Sequence, residues 1–124
     1  MVVGVGVDLL EVGRMERQLQ EGGAAFREEL FTPEEIAYCE AKRRPARHYA
    51  ARFAAKEALI KALPPGDHEG CVWREVEICS DGGPPRMVLR GSLNARAEAL
   101  HVSRILLSLS HTRDLAMANV VLES

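Results

Sequence analysis

The chain has 124 residues, 47% hydrophobic and 27% charged, the balance of one soluble globular domain with a single core. A formal charge of -2 and only 5% aromatics argue against tracking nucleic-acid phosphates or stacking single-stranded bases, and no apolar run reaches membrane-spanning length. Three cysteines (Cys39, Cys71, Cys79) with no Cys-x-x-Cys spacing argue against a disulfide framework or a thiolate zinc site and are read as free thiols. The apolar start lacks a basic leader and is interrupted at Asp8, so the expected compartment is the cytoplasm.

Met1 to Asp8 reads as a strand, with Val2, Val3, Val5 and Val7 set against Gly4 and Gly6, and it delivers Asp8 at its end. Small residues on one side of a strand mean that a backbone or a ligand comes close there. Residues from about Glu11 to Gln20 follow helical spacing until Gly22-Gly23 stops them, and Phe26 to Leu30 make a second short helix. Thr32-Pro33-Glu34-Glu35 is a helix start with Thr32 as cap, and that helix runs to about Ala41. The basic break Lys42-Arg43-Arg44-Pro45 follows, then a long helix from about Ala46 to Leu63 and a loop from Pro64 to Gly70. Trp73 to Cys79 alternates as a strand, Ser80 to Pro85 turns, Met87 to Leu89 returns, and Ser92 to about Leu100 is helical. Arg104 to Ser110 and Leu115 to Leu122 form a hairpin around His111 to Asp114. The fold expected is α+β: an antiparallel sheet packed around one long central helix.

That helix carries Arg52-Phe53-Ala54-Ala55-Lys56-Glu57-Ala58-Leu59-Ile60-Lys61, one carboxylate among three cations on an otherwise small and apolar background. Glu57 and Lys61 lie one turn apart, as do Arg52 and Lys56; alone, the first pair reads equally as a surface ion pair of a few tenths of a kcal/mol. Asp8 has its own plain reading as a helix cap or turn residue. Together Asp8 and Glu57 are two hard oxygen donors, enough for Mg²⁺, which takes its remaining ligands from phosphates and water. Lys61, Arg52 and Arg43-Arg44 would neutralise phosphate charge beside it, the equipment of metal-assisted phosphoryl transfer. Ser110 and His111 are neighbours in a strand and point to opposite faces, which disfavours a nucleophile–base pair. A polar strand end that binds phosphate or sugar, or a plain hairpin turn, are the two readings left for them. His48, His68 and His101 have no partner spacing and read as surface residues.

Taken in order, Gly4-Val5-Gly6-Val7-Asp8-Leu9, Phe31-Thr32 with Glu35, Arg52 to Ala62, and Ser108-Leu109-Ser110-His111-Thr112 with Ala116, Ala118 and Val120-Val121 resemble the holo-acyl-carrier-protein synthases. These are the small bacterial class of 4′-phosphopantetheinyl transferases, and the resemblance runs the length of the chain. It implies Mg²⁺-dependent transfer of 4′-phosphopantetheine from coenzyme A to a serine of an apo acyl carrier protein, with release of adenosine 3′,5′-bisphosphate. By the family's pattern Asp8 and Glu57 would hold Mg²⁺, and Lys61 the phosphates. Arg44, Arg52 and Ser110-His111-Thr112 would belong to the nucleotide site, with Gly83 and Pro85 at the adenine. The general base is either Glu57 acting through a water or a metal-bound hydroxide. Family members form trimers with sites shared at subunit interfaces, which suits so small a chain.

Two departures stand out. Arg14, Arg17 and Arg27, the expected carrier contacts, are diluted by Glu16, Glu21, Glu28 and Glu29, and Pro84 replaces the family's usual basic residue, with Arg86 next to Pro85. The alternatives are a non-catalytic coenzyme A-binding trimer, which would release no adenosine bisphosphate, and a phosphohydrolase that needs no carrier.

Overall fold

Among the described residues, numbered 1–64, 66 and 70–124 in this computed structural model, the elements run β1 (Val2–Glu11), α1 (Val12–Leu30), α2 (Pro33–Glu40), α3 (Pro45–Ala62), a 3₁₀ turn (Trp73–Glu75), β2 (Val76–Cys79), β3 (Arg86–Leu89), α4 (Gly91–Ala99), β4 (Arg104–His111) and β5 (Leu115–Glu123). The strands form an antiparallel sheet in the order β1-β5-β4 and a separate antiparallel pair β2-β3. The α+β architecture expected from the sequence is the one observed. The surface reading of His68 lies outside the described residues.

α3 is the centre of the molecule. Tyr49, Ala50, Ala51, Arg52, Ala54, Ala55, Lys56, Ala58, Leu59, Ile60 and Ala62 are all buried, so the helix is enclosed on nearly every side and shows no clean apolar stripe. Its small residues let β1 and β5 lie directly on its backbone. A Cβ on Gly4 would meet the carbonyl oxygen of Ala62, and one on Gly6 that of Ala58, so the close approach read from these glycines is to helix backbone. Ala116, Ala118, Val120 and Leu122 of β5 continue the same packed face.

Several boundaries differ from the sequence reading. β1 continues three residues past Asp8, because Leu9, Leu10 and Glu11 pair with Met117, Ala116 and Leu115; Asp8 is therefore inside the strand, opposite Ala118. The break expected at Gly22-Gly23 is present: the α1 span joins two helices across a kink at Gly23, whose φ of 58° and ψ of -143° are not helical. Arg27 holds the bend: its guanidinium donates to the Leu19 and Gly23 carbonyls (3.1 and 3.2 Å), which helical bonding leaves open there. The start of the strand expected from Trp73 is the 3₁₀ turn. β4 extends one residue further than expected, to include His111.

The capping box at α2 is present as read: Glu35 N donates to Thr32 Oγ1 (3.2 Å), and Thr32 N donates to Glu35 Oε1 (2.9 Å). The same carboxylate reaches across the fold. It accepts from Ile78 N of β2 (3.0 Å) and from Lys56 Nζ of α3 (2.7 Å), and neither side chain of the Lys56–Glu35 pair is exposed. Lys56 also donates to the carbonyls of Leu30 (2.7 Å) and Trp73 (3.2 Å), which uses all three of its protons. The partner of Lys56 is thus Glu35 on α2, and the cation one turn before it, Arg52, is occupied elsewhere. Thr32 Oγ1 passes the network on to Glu77 Oε2 (2.7 Å), and Arg90 donates to Glu77 Oε1 (3.0 Å).

Candidate active site

The Gly4, Gly6 and Asp8 side of β1 faces α3, so the strand that packs closely on Ala58 brings the Asp8 carboxylate beside the next turn of the helix. Lys61 Nζ donates to Asp8 Oδ1 (2.8 Å) and to the Val7 carbonyl (3.2 Å). Asp8 is 12% exposed and Lys61 46%, so the cation keeps an open side toward solvent. The other Asp8 oxygen, Oδ2, is buried with no hydrogen-bond partner. Asp8 and Glu57 line one pocket of about 230 Å³ together with Leu10, Glu11, Arg14 and Phe53. Lys61 thus pairs with the strand.

An orphaned carboxylate oxygen beside a second carboxylate is the donor set that a hard divalent cation takes. Among the described residues there is no group of three or more His, Cys, Asp or Glu arranged for a metal. Mg²⁺ is commonly held by one or two carboxylates and completes its shell with phosphate and water. The residues present fit the ion.

A second polar cluster forms where α2, α3 and the β2–β3 and β4–β5 turns meet. Arg52 is 2% exposed; its NH2 donates to Ser80 Oγ (2.8 Å), while its Nε is buried without a partner. Its guanidinium lies 3.9 Å from the centre of the Tyr38 ring, and Lys42 Nζ lies 4.5 Å from the same ring. His48 is half-buried, edge-on to Tyr38 (6.0 Å) and to His111 (5.5 Å), so the surface reading of His48 is corrected. Burial lowers the His48 pKa, and the positive charges of His111, Arg52, Lys42 and Arg47 lower it further. Burial would raise the Tyr38 phenol, but Arg52 and Lys42 outweigh it and hold the group below the ordinary tyrosine value.

The other residues singled out are distributed around these two clusters. Ser110 stands opposite Met117 on the outer side of the sheet, the face turned away from that of His111, as their adjacency requires. Thr112 Oγ1 accepts from the amides of Asp114 (3.3 Å) and Leu115 (3.1 Å) and shapes the hairpin turn. Gly83 is exposed with open space around it, and Pro85 is half-buried at the end of the β2–β3 turn. Arg44 lies on the wall of a different cavity, between α1 and the start of α3. None of Arg44, Arg52, Gly83, Pro85, Ser110, His111 or Thr112 lines the Asp8–Glu57 pocket of its own chain.

Sequence reasoning missed Tyr38, Lys42, His48 and Ser80. Two spacings carried a signal: Tyr38 and Lys42, and His48 and Arg52, are each four apart on a helix or its end, so each pair shares a face. Of the expected carrier contacts, Arg14 and Arg17 are exposed on α1, and Arg14 borders the Asp8–Glu57 pocket. Arg27 is engaged with Glu40 (3.0 Å) as well as with the α1 bend. Cys39 is fully buried, and burial pushes its thiol up to about 12, which makes it an inert core residue.

The family model of the 4′-phosphopantetheinyl transferase superfamily matches residues 4–120. A holo-[acyl-carrier-protein] synthase of Geobacter sulfurreducens is 44% identical over 124 residues, covering 99% of this chain and 98% of its own. Among solved structures, the synthase of Neisseria meningitidis superposes with a TM-score of 0.89 at 34% identity, covering all of both chains. That of Bacillus anthracis, crystallised in complex with CoA (3′,5′-ADP), gives 0.81 at 31% identity, covering 100% of this chain and 98% of the other. By sequence along nearly its whole length and by fold, the chain belongs to the holo-acyl-carrier-protein synthase family of the 4′-phosphopantetheinyl transferases.

Proposed function

We propose that this protein transfers 4′-phosphopantetheine from coenzyme A to a serine of an apo acyl carrier protein, for fatty-acid synthesis in the cytoplasm. The observation that carries the reading is the unpartnered, buried Asp8 Oδ2 beside Glu57 and Lys61. Asp8 and Glu57 would hold Mg²⁺, which supplies charge neutralisation to the pyrophosphate oxygens when bound. Lys61, already oriented by Asp8 and Val7, offers its exposed side to the same phosphates. The carrier serine hydroxyl attacks the phosphorus attached to pantetheine, and the P–O bond to adenosine 3′,5′-bisphosphate breaks. The serine proton passes through a water to Glu57.

The nucleotide half of the donor is assigned to Arg52, His111, Thr112, Ser110 and Arg44, with the adenine at Gly83 and Pro85. These residues lie away from the Asp8–Glu57 pocket on one chain, so a complete site requires a second copy. A trimer is supported by the outer face of the main sheet, where Val5, Val7 and Leu9 are more than half exposed and continue across strand register into Met117 and Leu106. Arg14, exposed beside the pocket, and Arg17 are the contacts assigned to the acidic surface of the carrier.

The test is to incubate the protein with coenzyme A and Mg²⁺, with and without an apo carrier, and to measure adenosine 3′,5′-bisphosphate. Release only in the presence of carrier is the expected result. Release without carrier identifies a phosphohydrolase, and no release in any arm identifies a binding protein; either would refute the transferase reading.

A further inference from the structure

The exposed charges of α1 follow an order along the helix. Arg14 stands in the first turn and Arg17 follows it. Arg14 and Gln18 line the Asp8–Glu57 pocket, and helical spacing puts the exposed Glu21 next in the same row, about 10 Å from Arg14 along the axis. The kink at Gly23 ends that straight segment. Beyond it the exposed charges are Glu28 and Glu29, while Arg27 is taken up by Glu40 and by the carbonyls of Leu19 and Gly23. Glu16 departs from the order but lies on the other side of the helix, where it lines the cavity between α1 and the start of α3. None of Arg14, Arg17 and Glu21 makes an ion pair or side-chain hydrogen bond among the described residues. The order also runs against the helix dipole, which favours acids in the first turn and cations in the last. Here the first turn holds no acid, Glu11 at the N-cap makes no capping bond, and Glu28 and Glu29 stand in the last turn. Neither helix stability nor packing accounts for these exposed charges, which leaves them for a partner of complementary pattern.

We propose that Glu21 selects the carrier: the partner is an acyl carrier protein that is acidic beside its serine, where Arg14 and Arg17 meet it, and basic about two helical turns farther on, where Glu21 meets it. The inference rests on the transferase reading, because the serine has to enter the Asp8–Glu57 pocket and so fixes which end of the carrier surface lies at Arg14. A carrier acidic along the whole of that surface sets a carboxylate against Glu21, and like charges facing each other across an interface act against the wrong partner. Glu21 touches no reacting atom, so its effect falls on carrier binding and not on the transfer step.

The test uses the full-length protein, one apo acyl carrier protein whose surface next to the serine is acidic throughout, and variants of that carrier with one acidic residue at a time replaced by lysine. Carrier affinity is measured by calorimetry without coenzyme A, and KM and kcat for transfer are measured beside it. For the wild type, a lysine about 10 Å from the serine should tighten binding about three- to tenfold, and a lysine next to the serine should weaken it. E21K should invert the first preference in favour of the unmodified carrier, and E21Q should abolish it. The shifts should appear in Kd and KM with kcat constant, and shrink in high salt. The proposal is overturned if no lysine position helps, if the preference survives in E21K, if E21K acts on kcat alone, or if the wild type binds none of the carriers. A charge preference in binding without transfer to any carrier would overturn the transferase reading and leave the docking surface standing, whereas transfer without a charge preference does the reverse.

Discussion

Replacing Lys56 by methionine tests how the catalytic helix is held. The methionine chain nearly fills the space, so the change isolates the charge and its three bonds to Glu35, Leu30 and Trp73. In K56M the buried Glu35 carboxylate keeps the Thr32 and Ile78 amides but loses the Lys56 cation, and the Leu30 and Trp73 carbonyls lose a donor. Breaking one half of a buried ion pair costs about 3–5 kcal/mol. At roughly 3–4 °C per kcal/mol for a domain of this size, the midpoint should fall by about 10–20 °C. Burial holds Lys56 below the usual lysine range even against the attraction of Glu35, so the pair gains little over an apolar replacement. The double variant K56M/E35L should therefore recover part of the loss, with the orphaned amides of Thr32 and Ile78 limiting it. Thermal unfolding at one fixed protomer concentration is the assay, because assembly adds to apparent stability. A fall of less than about 3 °C in K56M, well short of the buried-pair cost, would refute the reasoning.

D8A and E57A should each cut the transfer rate by about two orders of magnitude or more if, as proposed, phosphoryl transfer rests on a metal ion held by these two carboxylates. Raising Mg²⁺ should not restore either, and near-normal rates would break the metal assignment. L9D places a carboxylate in the apolar outer face of the sheet and is expected to yield monomers by light scattering that are inactive, as the proposed shared site requires; an active monomer would contradict the shared site. His48, facing His111, Arg52, Lys42 and Arg47, has a folded pKa below the ordinary 6.5, so the unfolded chain takes up the proton first. The stability is full above that value and declines as pH falls through it toward the folded pKa. H48Q should lose less between pH 8 and pH 5 than wild type, and parallel curves would remove His48 as the cause.

Local signals in the sequence were read well, and long-range partners were not. Gly4 and Gly6 announced a close approach, and the helix backbone at Ala58 and Ala62 provides it. Thr32 and Glu35 announced a cap, but nothing local indicates that Glu35 also meets Lys56 and Ile78, 21 and 43 residues away. Glu57 and Lys61 were legible as neighbours on one face, whereas the actual partner of Lys61 comes from a strand 53 residues earlier. Two glycines announced the break in α1, and the non-helical backbone of Gly23 provides it, whereas the donation of the Arg27 side chain to the Leu19 and Gly23 carbonyls carried no local signal. The Asp8–Glu57 pairing needed both the strand's register and the helix's phase, and the family pattern supplied what spacing alone left open.

The most direct measurement is the mass of an apo acyl carrier protein after incubation with this protein, coenzyme A and Mg²⁺. A gain of one phosphopantetheine on the carrier serine, absent in EDTA and nearly absent with D8A or E57A, is the predicted result. An unchanged mass across a panel of apo carriers, or full modification by D8A and E57A, would contradict the assignment of the transfer site to Asp8, Glu57 and Lys61.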